Sequence, residues 1–447
     1  MTTSIARTLT SNGSRRKGTL SFWYKKCEVG TSRMVYQSYT SGGNNHNILF
    51  NTDDTLRFTS QVSSSKKIDL VTTRKFRDPN AWYHIVTAFD TEQGTDTNRA
   101  KMYINGVQET SFTNASGGSP TYPSQDQDLQ VNISGEHIYF NKNGDGAGME
   151  ATCVYSHIHY IDGTMYDASA FGSFDSTTGE WKINTSPSVT YGTNGFFILK
   201  DGNSVTDQSG NSNDFSVEQG TLTKTEDNPS NVFATLNPLV KVAGNVTYSS
   251  GNTKVDRSGS DAWRTCYSTL GMTTGKYYFE TLKNSGANNI VGIRGAEQAD
   301  GSTSGSGNDY IAHTSQGWGL YDNDGIPRHN GTTLGSAIGT YANGDYIGVF
   351  LDCDNLKLYF SKNGTMLNTT GYSLTAGLTY MFGVSVYDNG GSLSCNFGNG
   401  AFGSTQLTGT TYNGSDGNGI FKYDPNNITL DGSSKSFKSL STKGLNT

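Results

Sequence analysis

The sequence GDYIGVFLD at residues 344–352, followed by NLKLYFSKNG at 355–364, predicts the fold of the chain. A period of two sends alternate side chains to opposite faces of a β-sheet, so each run reads as one strand with one apolar face. The polar link at 352–355 returns the chain. We therefore predict a core β-hairpin. The alternating apolar residues are Ile347, Val349 and Leu351, and then Leu356, Leu358 and Phe360.

The same design occurs earlier, as WYHIVTAFD at residues 82–90 and KMYING at 101–106. Two core hairpins imply two β domains, and 447 residues exceed one ordinary core at roughly 150 residues per domain. The 55 Gly and 8 Pro are typical of short strands joined by tight turns. We predict an all-β fold of two antiparallel β-sandwich domains joined by a turn-rich connector.

The charge balance of 33 Lys and Arg against 39 Asp and Glu leaves a net charge of -6. A net negative charge does not indicate a basic surface that could bind nucleic acid, so we expect no nucleic-acid partner. The sequence has no apolar run of membrane-spanning length and a polar start, which predict no membrane insertion and synthesis in a cytoplasm. Five isolated cysteines, an odd number, predict reduced thiols.

Three fragments of the first 165 residues carry a family resemblance: SFWY at 21–24, WYH at 82–84 and MYING at 102–106. Their order and spacing resemble the laminin-G or concanavalin-like jelly-roll family. The resemblance implies a jelly-roll sandwich over residues 1–165.

Residues 166–240 are dense in turns, and we predict a connector whose single aromatics pack on the first domain. The fragments FDSTTGEW at 174–181, YGTNGF at 191–196 and TLNPL at 235–239 stand in this stretch. They resemble a segment that recurs in tail-fibre-like and other virion proteins of marine and related bacteriophages.

A second resemblance covers residues 241–405, through GKYYFE at 275–280, GWGL at 317–320, the hairpin above and NFG at 396–398. These motifs resemble the SPRY domain, which implies a second β-sandwich. The Gly- and Ser-rich stretch Gln298 to Asn308 enlarges one loop beyond the family pattern. Residues 406–447 are a C-terminal extension that resembles the segment closing SPRY-like domains in the same phage proteins.

One loop has the oxygen ligands of a calcium site, at Asn141, Asn143 and Asp145, with a glycine in the sixth position. Thr152 stands where a calcium loop carries its glutamate, so a plain hairpin turn is the alternative. No other cofactor is expected. His157 and His159, two apart on one strand, and His84 suggest a metal cluster, with half-exposed strand histidines as the alternative.

The acids of the first domain, Glu136, Glu150, Asp162 and Glu180, form no glycosidase signature, and we expect no enzyme. Recognition is the remaining chemistry, because aromatic side chains at the rim of a rigid sheet stack on sugars or peptides. The candidate ligand contacts are Tyr310, Trp318 and Tyr321, although the position of Trp318 in a family core strand favours burial.

The resemblances imply a bacteriophage virion structural protein, a tail-fibre-like adhesin that binds a host-surface carbohydrate or protein. Its expected location is the virion, its expected partners are other virion proteins, and it is expected to form a homo-oligomer. No stalk repeat precedes the first strand, so another protein or a flat oligomeric contact is expected to anchor it. A capsid or head-fibre decoration and a cell-surface polysaccharide hydrolase remain as alternatives.

Overall fold

The computed structural model describes residues 2–146, 148–200, 202, 204–240, 245–299 and 309–446. The chain divides into two compact units, Met1–Leu222 and Thr223–Thr447. Both are built from antiparallel sheets, which confirms the predicted all-β fold. The helices of the described residues are 3-10 turns at Asp96–Asn98, Ala168–Ala170 and Ala296–Gln298, and the α-helix α1 at Thr442–Leu445. None of these helices is long and apolar enough to cross a membrane.

The first unit contains an eight-stranded sheet in the order β10-β6-β5-β4-β3-β11-β1-β16, a six-stranded sheet in the order β15-β12-β2-β7-β8-β9, and the hairpin β13-β14. Its strands are β1 (Ser4–Thr8), β2 (Lys17–Lys26), β3 (Arg33–Ser41), β4 (Asn44–Phe50), β5 (Thr55–Val62), β6 (Ser65–Lys75), β7 (Trp82–Asp90), β8 (Ala100–Ile104), β9 (Val107–Glu109), β10 (Phe112–Thr113), β11 (His137–Phe140), β12 (Cys153–Asp162), β13 (Gly172–Phe174), β14 (Trp181–Ile183), β15 (Phe196–Ile198) and β16 (Ser216–Gln219).

The core of the first unit lies between its two large sheets. Tyr24 of β2 stacks on Phe50 of β4 with ring centroids 5.6 Å apart, which joins the six-stranded sheet to the eight-stranded one. The earlier predicted hairpin supplies the middle of the six-stranded sheet, where Ile85 of β7 pairs with Ile104 of β8. Both side chains are buried, as period-two alternation requires.

The second unit contains an eight-stranded sheet, in which β17-β18-β30-β20-β25-β26-β27 form the main path and β28 pairs with β26, and a six-stranded sheet in the order β19-β29-β21-β22-β23-β24. Two hairpins, β31-β32 and β33-β34, complete it. Its strands are β17 (Val246–Ser249), β18 (Lys254–Arg257), β19 (Arg264–Met272), β20 (Lys276–Ser285), β21 (Asn289–Gly295), β22 (Gly317–Tyr321), β23 (Pro327–His329), β24 (Thr332–Thr333), β25 (Tyr346–Asp352), β26 (Lys357–Lys362), β27 (Thr365–Met366), β28 (Tyr372–Ser373), β29 (Tyr380–Val386), β30 (Ser392–Asn396), β31 (Ala401–Phe402), β32 (Thr405–Gln406), β33 (Ile428–Leu430) and β34 (Ser433–Lys435).

The predicted core hairpin forms β25 and β26, with Val349 opposite Phe360 and Leu351 opposite Leu358. These four side chains are buried in the core between the two sheets. Leu356 lies outside both strands, in the turn, with a φ of 55°. The turn therefore begins the second strand one residue later than the apolar pattern suggests.

The turn-rich stretch does not form a separate body. Residues of β15 pair with β12, and β16 pairs with β1, so the part up to Leu222 extends the two sheets of the first unit. The part from Thr223 belongs to the second unit, whose core contains Leu236. The predicted connector over 166–240 is thus divided between the two units: its first part adds β15 and β16 to the sheets of the first unit, and its second part adds Ala234 and Leu236 to the core of the second. The predicted start of the next domain, at 241–244, lies outside the described residues.

The C-terminal extension covers the outer face of the eight-stranded sheet in the second unit. Its anchor is Glu280 of β20, whose buried carboxylate accepts hydrogen bonds from the backbone N–H groups of Lys422 and Tyr423 at 3.0 and 2.8 Å. The Asn396 amide and the Tyr278 hydroxyl each donate a further bond at 3.0 Å. Around this anchor, an apolar cluster joins the sheet to the extension: Tyr278, Phe350, Tyr359, Phe421, Leu430 and Phe437.

Val349→Asp should unfold the second unit, because an unpaired charge in the core costs several kcal/mol, about half the stability of a domain. Thr365→Asp is the matched control, since Thr365 is exposed on the same sheet. Urea unfolding followed by circular dichroism measures both. Equal stability of the two variants would contradict the register of this hairpin.

The fragment 223–447 should fold alone, and Leu236→Ala should destabilise it by about 2–5 kcal/mol, because a buried leucine leaves a cavity. Leu239, three residues further on, is 45 % exposed. Leu239→Ala should therefore change the free energy of unfolding by less than about 0.5 kcal/mol. If both substitutions were neutral in a folded fragment, residues before 241 would not belong to this unit.

Candidate functional site

Four half-buried aromatic side chains meet on the outer face of the six-stranded sheet in the second unit. Trp263 is the centre, with its ring centroid 5.2 Å from Tyr310, 6.0 Å from Tyr321 and 5.2 Å from Tyr387. We call Trp263, Tyr310, Tyr321 and Tyr387 the aromatic cluster. Each of these residues is partly exposed to solvent, so the cluster presents aromatic surface in one small area.

The ends of neighbouring strands position three of these rings. Trp263 directly precedes β19, Tyr321 is the last residue of β22, and Tyr387 follows β29. The central strand β21 pairs with both β22 and β29, which holds their ends side by side. The rings therefore stand on a rigid scaffold, which lowers the entropy cost of binding a ligand.

Polar and charged side chains border the aromatic cluster and offer hydrogen-bonding groups beside its rings. The Arg328 guanidinium lies 4.9 Å from the ring centroid of Tyr321, a cation–π contact. The Tyr321 hydroxyl donates to the Asn288 side chain, whose amide donates to Asp388 at 2.9 Å. Burial raises the pKa of the Tyr310 and Tyr321 hydroxyls, so both carry their protons at neutral pH. Aromatic faces beside amide and guanidinium groups suit sugar rings or peptide side chains.

A buried ion pair fixes the loop that carries Tyr310. The Arg294 side chain is fully buried, and its Nη2 lies 2.7 Å from Asp309 Oδ1. Its Nε donates to the Ile311 carbonyl at 2.9 Å, and the Ile311 N–H donates to the Ser385 hydroxyl at 2.8 Å. Residues 309–312 are therefore held on the outer face of the sheet. Of the predicted loop insertion, 300–308 lie outside the described residues.

Trp318 does not belong to this surface, and its prediction as a ligand contact is wrong. Its side chain is buried in the core between the sheets. It stacks on His329 with ring centroids 4.3 Å apart and meets Tyr380 edge-on at 5.9 Å. The next outward position along β22 is Gly319, where an added Cβ would lie 2.5 Å from Ile290 Cγ2 and would clash. Tyr310 and Tyr321, the other predicted contacts, come together around Trp263.

Sequence reasoning missed Trp263, Tyr387 and Arg328. Trp263 is a lone aromatic in the polar stretch SGSDAW at 258–263, directly before a strand, and that isolation is the signal that could have identified it. Arg328 joins the site through the local hairpin of β22 and β23, whereas Tyr387 joins it only through the pairing of β29 with β21, a segment distant in sequence. No local pattern reports that pairing.

The predicted calcium loop is a turn with most of its polar groups engaged. The Asn141 side chain accepts the Ala151 N–H at 2.7 Å and donates to the Ala151 and Thr3 carbonyls at 3.0 and 2.9 Å. The Asp145 carboxylate accepts the Tyr39 hydroxyl, and Asn143 Oδ1 accepts the Asp145 N–H at 3.3 Å. The Asn141 side chain is thus engaged by backbone groups. Asn143 and Asp145 are left as the side chains of this loop that could offer an oxygen ligand to calcium.

The histidines of the first unit pack among aromatic rings. His159 stacks on Phe197 at 3.9 Å, and its Nδ1 lies 2.9 Å from the Tyr191 hydroxyl. β12 is bulged between Ser156 and His159, so the simple alternation assumed for His157 and His159 does not hold. No group of three or more His, Cys, Asp or Glu side chains among the described residues is arranged to hold a metal ion.

His84 and the acids of the first unit are also engaged locally. His84 Nδ1 accepts the Trp181 indole N–H at 3.0 Å, and burial lowers the His84 pKa to about 3. Asp162 accepts the N–H groups of Ser14 and Asn194 at 2.8 and 3.1 Å. Burial raises the pKa of Glu136, whose carboxylate accepts a hydrogen bond from the Gln130 amide at 3.2 Å. Glu150 accepts the Gly148 N–H at 2.9 Å, and Glu180 is exposed.

Two family models match parts of the chain. The concanavalin A-like lectin/glucanases superfamily, in its laminin-G form, matches residues 3–141. The SPRY domain matches residues 276–400. The predicted laminin-G or concanavalin-like domain and the SPRY domain are thereby confirmed, and both are folds of a binding or adhesion type. No curated protein matches the chain.

Solved structures of other proteins are similar to part of the chain. The TRIM65 PSpry domain is 18% identical over 36% of this chain and 91% of that chain, with a TM-score of 0.30. The SPRY domain of human HERC1 is 15% identical over 37% of this chain and 94% of that chain, with a TM-score of 0.29. Stonustoxin is 18% identical over 36% of this chain and 27% of that chain, with a TM-score of 0.29.

Asp309→Asn should destabilise the second unit by about 3–5 kcal/mol, because it leaves the buried Arg294 charge without its partner. Asp324→Asn is the matched control. It breaks the partly exposed pair with Arg328 and should cost less than about 1 kcal/mol. Urea unfolding gives both values, and hydrogen exchange at 309–312 should rise only in Asp309→Asn. Similar small losses in both variants would mean that this ion pair does not anchor the loop.

Proposed function

We propose that this chain is a bacteriophage virion structural protein, a tail-fibre-like adhesin that binds a host-surface carbohydrate or protein. The proposal joins a laminin-G-type sandwich and a SPRY sandwich, both of a binding type, in one chain. In the virion its partners are other virion proteins and further copies of itself. In a symmetric homo-oligomer, several weak contacts with the host surface act together and give firm attachment.

The observation that carries the proposal is the aromatic cluster. Four half-buried rings, three of them at strand ends, with Arg328 and Asn288 beside them, form a rigid and partly exposed aromatic surface. Aromatic and arginine side chains dominate the energetics of many binding surfaces. A binding role needs no deep pocket, and this cluster is a surface feature of the sheet.

The assignment to a bacteriophage virion is supported by the resemblance of the fragments at 174–181, 191–196 and 235–239 to a segment of phage virion proteins. These fragments lie outside both matched family ranges. They are therefore a separate line of support from the two sandwich domains.

We further propose that the protein binds without turnover. Glycoside hydrolysis requires two carboxyl groups facing one cleft across the scissile bond. In the first unit, Asp162 and Glu136 are buried and bonded to local backbone and amide groups, whereas Glu180 is exposed. The local hydrogen bonds of Asp162 and Glu136 fit a structural role for these two side chains.

Fluorescently labelled full-length protein should bind the surface of host cells within a panel of bacterial strains. Trp263→Ala and Tyr321→Ala should each weaken this binding at least about tenfold, as expected for central aromatic contacts. Tyr139→Ala is the control, because Tyr139 is a half-buried tyrosine of the first unit. Flow cytometry and a reducing-sugar assay on the same cells provide the readouts.

Two results would contradict the proposal. One is cell labelling that survives both substitutions in the aromatic cluster unchanged. The other is sustained release of oligosaccharide that is lost in Glu136→Gln or Glu180→Gln, which would favour a hydrolase.

A further inference from the structure

The C-terminal extension carries a groove that belongs to neither matched family range. It is an open concavity of about 500 Å³, within the volume range of small-molecule sites at roughly 300–1,000 Å³. Its lining is polar except for one aromatic ring. The lining residues are Tyr412, Asn413, Gly414, Ser415, Asp424, Asn426, Asn427 and Ser436.

Hydrogen bonds from the underlying sheet, and between the two walls, hold the groove in place. Glu280 accepts the backbone N–H of Tyr423, which fixes the chain directly before Asp424. Tyr412 and Phe421 exchange backbone hydrogen bonds of 2.9 and 2.7 Å. The Asn426 amide donates to the Asn413 carbonyl at 2.9 Å and so ties one wall to the other. The groove is therefore formed before any ligand arrives, which favours binding.

Polar atoms in the groove lack partners among the described residues. Asn426 Oδ1 is buried and accepts no hydrogen bond there. The Asn427 backbone N–H donates to the Ser436 hydroxyl at 3.0 Å, but the Asn427 side-chain amide makes no bond within the described chain. Asn426 Oδ1 has almost no solvent-accessible surface and lies out of reach of a ligand, whereas the exposed Asn427 amide can donate to one.

The single charge among the lining residues restricts the charge of the ligand. Asp424 is the single charged side chain among the lining residues, and its Oδ1 already accepts the Asn426 N–H and amide at 2.9 and 3.0 Å. The remaining carboxylate oxygen can accept from hydroxyl groups. It repels an anionic ligand, and one carboxylate is a poor set for Ca²⁺, which takes 6–8 oxygen ligands.

We propose that this groove binds a neutral saccharide. In this proposal the Tyr412 ring lies against a sugar face, the free Asp424 carboxylate oxygen accepts a sugar hydroxyl, and the Asn427 amide donates to a ring or hydroxyl oxygen. This inference rests on the proposed attachment function and adds the ligand class. It uses residues other than those of the aromatic cluster, so the two can be tested separately.

Full-length protein should bind neutral hexose or N-acetylhexosamine oligosaccharides on a printed array, and not matched oligosaccharides that carry uronic or sialic acid. Asn427→Asp should weaken binding about 5- to 100-fold, because it replaces a donor by a repelling acceptor. Tyr412→Ala should weaken it similarly. Asn330→Asp is the matched control, since Asn330 is also exposed and also has positive φ, 50° against 55° for Asn427.

The inference is overturned if no neutral oligosaccharide binds, if Asn427→Asp and Tyr412→Ala bind as well as the parent, or if EDTA abolishes binding. Unchanged thermal unfolding of Asn427→Asp relative to Asn330→Asp shows that a loss is local. Cell labelling that depends on Trp263 but not on Asn427 would leave the proposed function standing and remove the groove from it. Array binding through the groove without any cell labelling would uphold the groove and count against the proposed function.

Discussion

The buried carboxylate of Glu280 is the constraint on which the second unit depends. It stands on the outer face of a sheet, where an ionised group without partners would be costly. Burial raises its pKa to about 7, and its four hydrogen bonds act in the opposite direction. Two of them come from the backbone of residues 422 and 423, so satisfying this carboxylate requires the C-terminal extension to lie on the sheet. The groove at 412–436 is a consequence of that requirement.

The same principle shapes the opposite sheet of this unit. Arg294 is fully buried on its outer face, and its charge is met by Asp309 and by backbone carbonyls of the segment at 309–312. That segment brings Tyr310 beside Trp263. In the first unit, residues after β12 cover the six-stranded sheet with Phe171 and Trp181. In each case a buried polar group or an apolar patch on an outer face orders a segment outside the sandwich, and such ordered segments form candidate binding surfaces.

Periodicity predicted the hairpin of β25 and β26 because the core-facing positions of the paired residues are apolar on both strands. Ile347, Val349 and Leu351 are buried in the core, as their spacing requires. It did not show that the other face of the same sheet is also covered, by the C-terminal extension. Tyr278 and Phe279 are adjacent and both buried, so alternation cannot say which one faces the core. Trp318 was ambiguous for the same reason.

Local sequence patterns also could not predict the pairing of strands that lie far apart in the sequence. The three-residue strand β15 pairs with β12 some 40 residues earlier, and this pairing, with that of β16 and β1, places the turn-rich stretch up to Leu222 in the first unit. The most direct test of the account is a density map of the intact particle with this chain located. We expect the chain on the particle surface with Trp263 and its neighbouring rings open to solvent. A position inside the capsid, or an aromatic cluster buried against another virion protein, would contradict a role in host attachment.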